Sequence, residues 1–410
     1  MHKKLVIIGG GAAGFFCAVN AAKQNSDLEV IIIEKNNKLL SKVKISGGGR
    51  CNVTHACFDV EELILKYPRG KYFLKKTFNL FSTIDTIDWF RERGVTLKTE
   101  ADNRMFPTSN NSQTIIDCLL AEAKKYKVTI KMSCSIASIA AINNEFKLLT
   151  SDGTFIPTNY VCIACGGFSK VEQFNWLTSL GHSIEEPVPS LFTFNMPKNK
   201  ITELMGISVD DVTIKIAGTK FKNNGPLLIT HWGLSGPAVL KLSSWAARHL
   251  AAVNYQFTII VNWLKDTTEI ELRTQFSDYR LALASQKIFT KNPFALPNRL
   301  WLYLLELSGI DVEIRWADLP SAQQNRLIQT LVAQNFTVNG KTTFKEEFVT
   351  SGGIKLAEID PNTMESKKIK NLFFGGEILD VDGVTGGFNF QHAWTSGWIA
   401  AKTIAERSKQ

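Results

Sequence analysis

A cluster of glycines near the start of the chain has the residue types and spacing of a phosphate-binding turn. It runs Gly9-Gly10-Gly11-Ala12-Ala13-Gly14 and follows the apolar stretch Leu5-Val6-Ile7-Ile8. In such turns the first glycine allows a tight bend, the second lets a pyrophosphate approach the backbone, and the third allows close helix packing. The N-terminus of the helix that follows offers unpaired N–H groups and partial positive charge to an anion. The segment therefore predicts a strand, a phosphate-binding turn and a helix.

An acidic residue stands where a dinucleotide site needs one. A second apolar stretch, Val30-Ile31-Ile32-Ile33, ends at Glu34. A carboxylate at the end of this strand accepts hydrogen bonds from the adenosine ribose hydroxyls. The complete layout predicts a dinucleotide site, with an accidental glycine turn as the alternative.

Three more segments are too rich in glycine to be ordinary turns. The first, residues 41–52, carries three consecutive glycines together with Lys42 and Arg50. The second is residues 350–354, and the third is residues 373–389, which leads directly into a predicted helix. Consecutive glycines permit positive φ, so that successive N–H groups converge on an anion or a ring edge.

The composition is that of an ordinary globular protein with two domains. The chain has 410 residues, 44% of them apolar and 21% charged, and a net charge of +9. Seven scattered cysteines predict free thiols in a reducing compartment, most simply the cytoplasm. We expect no membrane span, because no apolar run is long enough, and no metal, because no cluster of ligands stands out.

Basic and aromatic residues alternate in residues 66–76, and this pattern is typical of nucleic-acid binding. A solvated helix face beside core aromatics explains the same pattern, and we favour this interpretation. The alternation of strands and helices breaks off near residue 190 and resumes after 345. We therefore predict an α/β domain in two parts, 1–190 and 346–410, around an inserted domain of β hairpins and short helices at 191–345.

Four motifs together resemble one bacterial family. They are SGGGRCN at 46–52, NRMFPTS at 103–109, THWGLSGP at 230–237 and GGEILDVDGVTGGFN at 375–389. The chain is similar to the bacterial NAD(P)/FAD-dependent oxidoreductases of the BaiN/RdsA and aminoacetone oxidase-like type. Asn103, where that family usually has glycine, and Trp232 are local departures. The resemblance implies a Rossmann-like FAD domain of the glutathione reductase type, interrupted by an inserted β-barrel and a small helical domain.

The resemblance also implies roles for individual residues. Glu377 would form a hydrogen bond with the ribityl chain or with an ordered water near it. The junction before the last helix would face the pyrimidine edge of the flavin. The field of that helix would stabilise reduced flavin, and an ordinary capped helix is the alternative. The expected FAD-binding residues are Gly9, Gly11, Ala12, Ala13, Gly14, Glu34, Lys35, Lys42, Ser46, Gly47, Gly48, Gly49, Arg50, Cys51, Asn52, Ala164, Gly166, Gly376, Glu377, Gly386, Gly387, Phe388 and Asn389.

Two residues are candidates for catalysis. The Cys51 thiol would lie beside the flavin, where it is either a proton donor or a packing thiol. His231 is either a proton donor or substrate contact, or it orients its own loop.

Three classes of function remain open, and so does the oligomeric state. The first is an NAD(P)H-linked flavin reductase of a polarised C=C bond, with uridine of ribosomal RNA as a candidate substrate. The second is a flavin amine oxidase that passes electrons to oxygen. The third is a non-catalytic flavoprotein that senses redox state or binds RNA. Since the chain has one dinucleotide fingerprint, we expect NAD(P)H to visit the flavin transiently.

Overall fold

The structure is a computed structural model that describes residues 3–142, 145–342 and 349–410. Strands and helices alternate through much of the chain. The strands are β1 (Lys4–Ile8), β2 (Glu29–Ile33), β3 (Thr54–His55), β4 (Leu97–Thr99), β5 (Arg104–Pro107), β6 (Thr129–Lys131), β7 (Ile136–Ile142), β8 (Glu145–Thr150), β9 (Phe155–Thr158), β10 (Tyr160–Ile163), β11 (Ile184–Ser190), β12 (Thr193–Asn195), β13 (Ser208–Ile216), β14 (Lys222–Thr230), β15 (Gly233–Ser235), β16 (Gln256–Asn262), β17 (Gln334–Asn339), β18 (Lys341–Thr342), β19 (Val349–Ile354) and β20 (Leu372–Phe374).

The α-helices range from one turn to six. They are α1 (Ala12–Gln24), α2 (Ser41–Gly49), α3 (Val60–Ile64), α4 (Lys71–Phe78), α5 (Thr83–Arg91), α6 (Gln113–Lys125), α7 (Asn175–Thr178), α8 (Pro237–Trp245), α9 (Ala247–Ala252), α10 (Glu269–Ala282), α11 (Asn298–Leu307), α12 (Ser321–Ala333) and α13 (Phe388–Ser408). Short 3₁₀ helices occupy Val171–Phe174, Lys200–Leu204, Leu356–Glu358 and Gly376–Ile378.

The chain divides into two compact units. One consists of Met1–Ser190 with Lys345–Gln410, and the other of Leu191–Phe344. None of the described helices combines the length and apolarity that crossing a lipid bilayer requires.

A five-stranded parallel sheet organises the first unit. Its order is β20-β10-β1-β2-β6, so that the glycine turn after β1 lies at the centre. The strands around this centre are nearly continuous apolar runs because both faces of the sheet are covered. Helix α13 crosses α1 so closely that a Cβ on Gly397 would lie 2.6 Å from the Ala13 carbonyl oxygen. The two distant segments of the unit therefore share one core.

Three smaller sheets complete the first unit. Strands β7, β8 and β9 form an antiparallel meander, and β3, β5 and β4 form a second small sheet. The third is the antiparallel ribbon of β11 and β19. This ribbon brings residues 184–190 beside the start of the second segment of the unit.

The second unit is built on one antiparallel sheet with the order β17-β16-β13-β14-β15-β12-β18. Its two edge strands are consecutive in the chain and meet at Gly340. Gly340 donates its N–H to Tyr255 O (2.9 Å) and accepts from Asn195 N (3.1 Å), so the sheet closes on itself as a barrel. Helices α10, α11 and α12 enclose a second core that includes Trp301 and Trp316. The α/β fold with an inserted barrel and helical region agrees with the sequence prediction.

Candidate functional site: a dinucleotide and flavin cradle

Two positions of the turn between β1 and α1, Gly9 and Gly14, are packed too tightly for any side chain. A Cβ on Gly9 would lie 2.4 Å from the Ala164 carbonyl oxygen, and one on Gly14 would lie 2.0 Å from the Gly9 carbonyl oxygen. Real Cβ atoms do not approach oxygen this closely. Glycine at these two positions therefore sets the close contact of α1 with the sheet, as the fingerprint predicts.

Gly11, by contrast, faces open space. A Cβ there would meet no heavy atom within 4 Å among the described residues. Gly11 is also the N-cap of α1, and in the described chain no side chain caps this end and no acidic residue occupies its first turn. The N–H groups of Ala12 and Ala13 begin the helix and carry its partial positive charge. This end of α1 can receive an anion.

The Glu34 carboxylate lies beside the glycine turn. Its Oε2 accepts from Gly10 N (2.8 Å), and its Oε1 accepts from Asn36 N (2.9 Å) and Asn36 Nδ2 (2.8 Å). A carboxylate offers about four acceptor positions, so room for a ribose hydroxyl remains. The neighbouring Lys35 ammonium lies 5.8 Å from the centre of the Phe168 ring.

The glycines after Ser46 make a left-handed loop. Gly47, Gly48 and Gly49 have φ of +60°, +69° and +84°. Gly48 and Gly49 face open space among the described residues, whereas a Cβ on Gly47 would lie 2.7 Å from the Phe106 ring. Successive left-handed residues turn their N–H groups toward one side and make an anion-binding concavity.

Arg50 is held by protein groups. Its guanidinium pairs with Glu100 (Nη1 to Oε1, 2.5 Å), donates to Gly47 O (3.3 Å), and lies 4.0 Å from the centre of the Phe106 ring. These contacts hold the glycine loop against the protein. A contact of Arg50 with phosphate stays a prediction.

An ion pair joins two of the glycine-rich segments. Lys42 Nζ lies 2.6 Å from Glu377 Oε2, and Glu377 Oε1 accepts from Thr350 N (2.9 Å). The hydroxyls of Thr350 and Ser351 are buried and have no hydrogen-bond partner among the described residues. The sequence analysis did not single out these hydroxyls, although their segment was noted for its glycines.

Gly376 lies against the start of α1. A Cβ there would lie 3.0 Å from the Ala13 Cβ. Its N–H donates to Ser396 Oγ (2.8 Å), and its carbonyl oxygen lies 3.2 Å from His392 Nε2. Burial lowers the pKa of His392 to about 4, so this imidazole is neutral at physiological pH. Its Nδ1 is buried without a partner in the described part of the chain.

The third glycine pair forms the junction before α13. Gly387 has φ of +94°, and a Cβ on it would lie 2.6 Å from Thr54 O. In the orientation that satisfies both of its ends, the Asn52 amide donates to Thr54 O (3.0 Å) and accepts from Gly387 N (2.9 Å). Gly386 O lies 3.0 Å from His55 Nδ1. Asn52 thus binds the first glycine loop to the last one.

The first turn of α13 is clamped from outside but carries no cap. The Tyr67 hydroxyl donates to Phe388 O (2.7 Å), and the His55 and Phe388 ring centres are 4.5 Å apart. The Asn389 amide exchanges two hydrogen bonds with the Gly383 backbone (2.8 and 3.0 Å). Among the described residues no side chain caps the helix and no acidic residue occupies its first turn. The uncapped end of its dipole can therefore face an electron-rich ring edge.

A buried ion pair, absent from the sequence analysis, supports the loop before this junction. Arg69 donates to Asp382 through Nε and Nη2, and the Ser190 hydroxyl donates to Asp382 Oδ2 (2.7 Å). Asp382 is completely buried. Burial raises its pKa, and the Arg69 charge opposes that shift. The signal that could have found this pair is an aspartate among apolar residues in the glycine-rich segment.

The Cys51 side chain is completely buried. Burial raises the pKa of its thiol to about 12, against the opposing effect of a bond with Ser46. The thiol therefore stays protonated at neutral pH, and its role as donor or packing group stays a prediction.

The chain after β10 completes the cradle. Ala164 N donates to Ile8 O (2.9 Å), which continues the sheet beyond the strand. Gly166 faces open space among the described residues. Burial raises the pKa of the intervening Cys165 to about 12.

His231 belongs to the second unit. It occupies the turn between β14 and β15, with its ring centre 4.4 Å from that of Trp232. Both side chains are exposed, Trp232 by 45%. Its predicted catalytic role stays a prediction.

The residues of the first unit fit a dinucleotide flavin. Two uncapped helix ends, glycines that face open space and two buried hydroxyls without partners offer donors and room to an elongated, anionic, ring-bearing group. Across the described ranges, no group of three or more His, Cys, Asp and Glu side chains could hold a metal ion.

The fold and this cradle define a Rossmann-type flavin oxidoreductase, and the family agrees. The HI0933-like protein Rossmann domain matches residues 3–403, and the chain belongs to this family of FAD-dependent oxidoreductases.

Two relatives match over nearly their whole lengths. The chain is 31% identical to the ribosomal RNA dihydrouridine synthase of Escherichia coli, over 97% of each chain. It is 28% identical to the 3-dehydro-bile acid delta(4,6)-reductase of Clostridium scindens, over 98% of this chain and 99% of the relative.

Solved flavoenzymes share the fold. The 3-ketosteroid-delta4-(5alpha)-dehydrogenase of Rhodococcus jostii has a TM-score of 0.52 at 12% identity, over 98% of this chain and 97% of that one. A flavocytochrome c3 fumarate reductase has a TM-score of 0.51 at 16% identity, over 100% and 79%. At these identities the likeness concerns the fold alone.

Proposed function

We propose that the protein uses NAD(P)H to reduce a polarised carbon–carbon double bond, and that its substrate is a uracil ring in ribosomal RNA. The observation that carries the proposal is the 31% identity, over 97% of each chain, to a ribosomal RNA dihydrouridine synthase. The relative named as a bile acid delta(4,6)-reductase supports the coarser half, reduction of a C=C bond.

The reaction balances as a two-electron reduction. The C5=C6 bond of uracil is conjugated to a carbonyl, so C6 accepts a hydride and C5 then takes a proton. One NAD(P)H becomes NAD(P)⁺ for each dihydrouracil formed. A bound FAD supplies the chemistry that carries the hydride between nicotinamide and carbon.

The residues of the cradle have distinct tasks in this proposal. The uncapped ends of α1 and α13 hold the pyrophosphate and the electron-rich ring edge, respectively. Tyr67 and Asn52 fix the start of α13, so that its dipole needs little reorganisation during the reaction. Glu34 holds the ribose.

In this proposal NAD(P)H binds transiently, without a nucleotide-binding domain of its own. The chain has a single fingerprint of the strand, glycine turn and helix type, and this one is assigned to FAD. NAD(P)H and the double-bond substrate therefore use the same open face of the flavin in turn, which predicts ping-pong kinetics. Intersecting lines from a ternary complex would contradict it.

The proton for C5 comes from Cys51 or His231 in this proposal. Cys51 lies in a dry environment and keeps its proton, because burial raises the pKa of its thiol to about 12, whereas His231 lies on an exposed turn. Free cysteines throughout the chain agree with the cytoplasmic location that such a substrate requires.

Mass spectrometry of nucleosides from ribosomal RNA tests the function. Deletion of the gene should remove dihydrouridine, and the purified protein with FAD and NADPH should restore it. Intact dihydrouridine in the deletion strain would reject the RNA substrate. Rapid peroxide formation with small amines, without any effect on RNA, would favour an amine oxidase instead.

A further inference from the structure

A cationic surface with one exposed aromatic ring lies on helix α4 and the turn before it. The helix buries Phe73 and Leu74 and turns its other side outward. We call the outward residues the basic–aromatic face: Lys66, Lys71, Tyr72, Lys75 and Lys76, all of which are exposed.

Four residues of this face lie on one side of α4, and Lys66 precedes the helix. Lys71 and Lys75 are one turn apart, as are Tyr72 and Lys76, and residues at this spacing are neighbours on a helix surface. Lys75 forms an ion pair with Glu61. Within the described ranges, Lys66, Lys71 and Lys76 form no ion pair. The acidic residues that share the segment are Asp59, Glu61 and Glu62.

The aromatic component of the face is unusually accessible. Tyr72 exposes 82% of its surface, whereas Tyr67 and Phe73 from the same stretch are buried. A ring flanked by lysines suits stacking on a base while the ammonium groups contact phosphates. The sequence pattern alone does not distinguish the exposed ring from the two buried ones.

The same segment supports the flavin end of the cradle. Val384 N donates to Lys66 O (2.9 Å), and Tyr67 donates to Phe388 O (2.7 Å). The buried Arg69 side chain binds Asp382 in the loop before α13. Alternate residues of one short stretch therefore point inward to this loop and outward to the basic–aromatic face.

We infer that the basic–aromatic face is the docking surface for single-stranded RNA, with Tyr72 stacked on a base and Lys66, Lys71 and Lys76 on phosphates. This inference rests on the proposed function for the identity of the substrate. Charge complementarity selects the occupant, since three ammonium groups without an ion pair among the described residues accompany one exposed aromatic ring. The face holds RNA beside the loop that presents the flavin edge.

The test measures binding of a fluorescein-labelled oligouridylate to the FAD-loaded protein at several salt concentrations. The slope of log affinity against log salt is negative, and Lys71→Gln/Lys76→Gln should reduce its magnitude by about 1.4, or about 0.7 for each lost phosphate contact. Tyr72→Ala should weaken binding about tenfold, and Tyr72→Phe, which keeps the ring, should bind like the wild type. The matched control is Lys23→Gln/Lys124→Gln, which removes the same charge from exposed positions on α1 and α6.

Equal effects of the two lysine pairs, or normal binding by Tyr72→Ala, would overturn the inference. So would loss of binding to phosphatidylserine vesicles with unchanged binding to RNA, because the face would then serve a membrane. Dihydrouridine formation on unmodified ribosomal RNA transcripts separates this inference from the proposed function. If the wild type makes dihydrouridine and the face variants have an unchanged KM for RNA, only the docking surface is rejected. If the face variants lose RNA binding but the wild type makes no dihydrouridine, only the proposed function fails.

Discussion

Gly14 packs against Gly9 so tightly that a Cβ on Gly14 would lie 2.0 Å from the Gly9 carbonyl oxygen. This contact presses the first helix onto the central strand of the sheet. Gly11, three residues before Gly14, instead faces open space among the described residues. One short turn thus contains glycines with different physical reasons to be glycine.

This difference predicts opposite results for two alanine variants. Gly14→Ala should destabilise the apoprotein by about 2 kcal/mol or more, because backbone must move to relieve the clash. Gly11→Ala should leave the stability of the apoprotein within about 0.5 kcal/mol but weaken FAD binding, because the methyl group enters the pyrophosphate space. Urea unfolding without FAD and titration with FAD measure the two quantities. Normal FAD affinity in Gly11→Ala would show that the pyrophosphate does not bind at this turn.

The buried pair of Arg69 and Asp382 predicts a cost for breaking it. Arg69→Met should destabilise the protein by about 3–5 kcal/mol, because it leaves the Asp382 carboxylate buried without its counter-charge. The double variant Arg69→Met/Asp382→Asn should recover much of that loss, since no uncompensated charge remains. Urea unfolding of both variants provides the comparison. A double variant no more stable than Arg69→Met would mean that the charge of Asp382 is unimportant.

His392 predicts a loss of stability in acid. The unfolded imidazole binds a proton near its ordinary pKa of 6.5, whereas the folded one has a pKa lowered to about 4 by burial. The unfolded state therefore binds more protons between these values, and stability falls as the pH is lowered through this window, by about 3 kcal/mol in full. Burial also lowers the pKa of His182, so His182 contributes to the same pH dependence of stability. The contribution of His392 is therefore the difference in free energy of unfolding between the wild type and a His392 variant.

That variant is His392→Gln, which keeps a donor for the Gly376 carbonyl oxygen. Its free energy of unfolding should depend less on pH than that of the wild type between pH 6.5 and 4, and the two should run parallel above pH 7.5. Parallel curves throughout would show that His392 titrates alike in the folded and unfolded states.

We expect only one of the two candidate proton donors, Cys51 or His231, to be needed for turnover. Loss of the true donor, in Cys51→Ala or His231→Gln, should lower kcat for double-bond reduction by about 10²–10⁴. Loss of the other should leave kcat within a few-fold. Reduction of the flavin by NAD(P)H should be normal in both variants, since that step needs no proton at carbon. Normal kcat in both would exclude Cys51 and His231 alike.

Local spacing was enough to predict the strand, glycine turn and helix at the start of the chain, with Glu34 beside the turn. Gly9, Gly14 and Glu34 take their places because a strand, a turn and a helix of fixed length leave little freedom. The glycine-rich segment equally predicted that a helix begins after the glycines at 386–387. These features depend on neighbours in the chain.

Long-range contacts escaped the sequence analysis because they join residues without a shared local pattern. Arg69 belonged to a stretch interpreted as cationic surface, yet Asp382 draws it inward. Asn389 was predicted to face the flavin, and in the structure Gly383 occupies its amide. Residue type alone did not distinguish the buried Tyr67 from the exposed Tyr72, since their exposure depends on the packing of α4 against the rest of the unit.

The most direct test of the account is the visible spectrum of the purified full-length protein, first with FAD and then with NADPH in the absence of oxygen. We expect a bound flavin whose absorption bleaches when NADPH is added and returns when uridine-containing ribosomal RNA follows. A correctly folded protein that stays colourless and refuses FAD would contradict the cradle, and a bound flavin that NAD(P)H cannot bleach would contradict the proposed reduction.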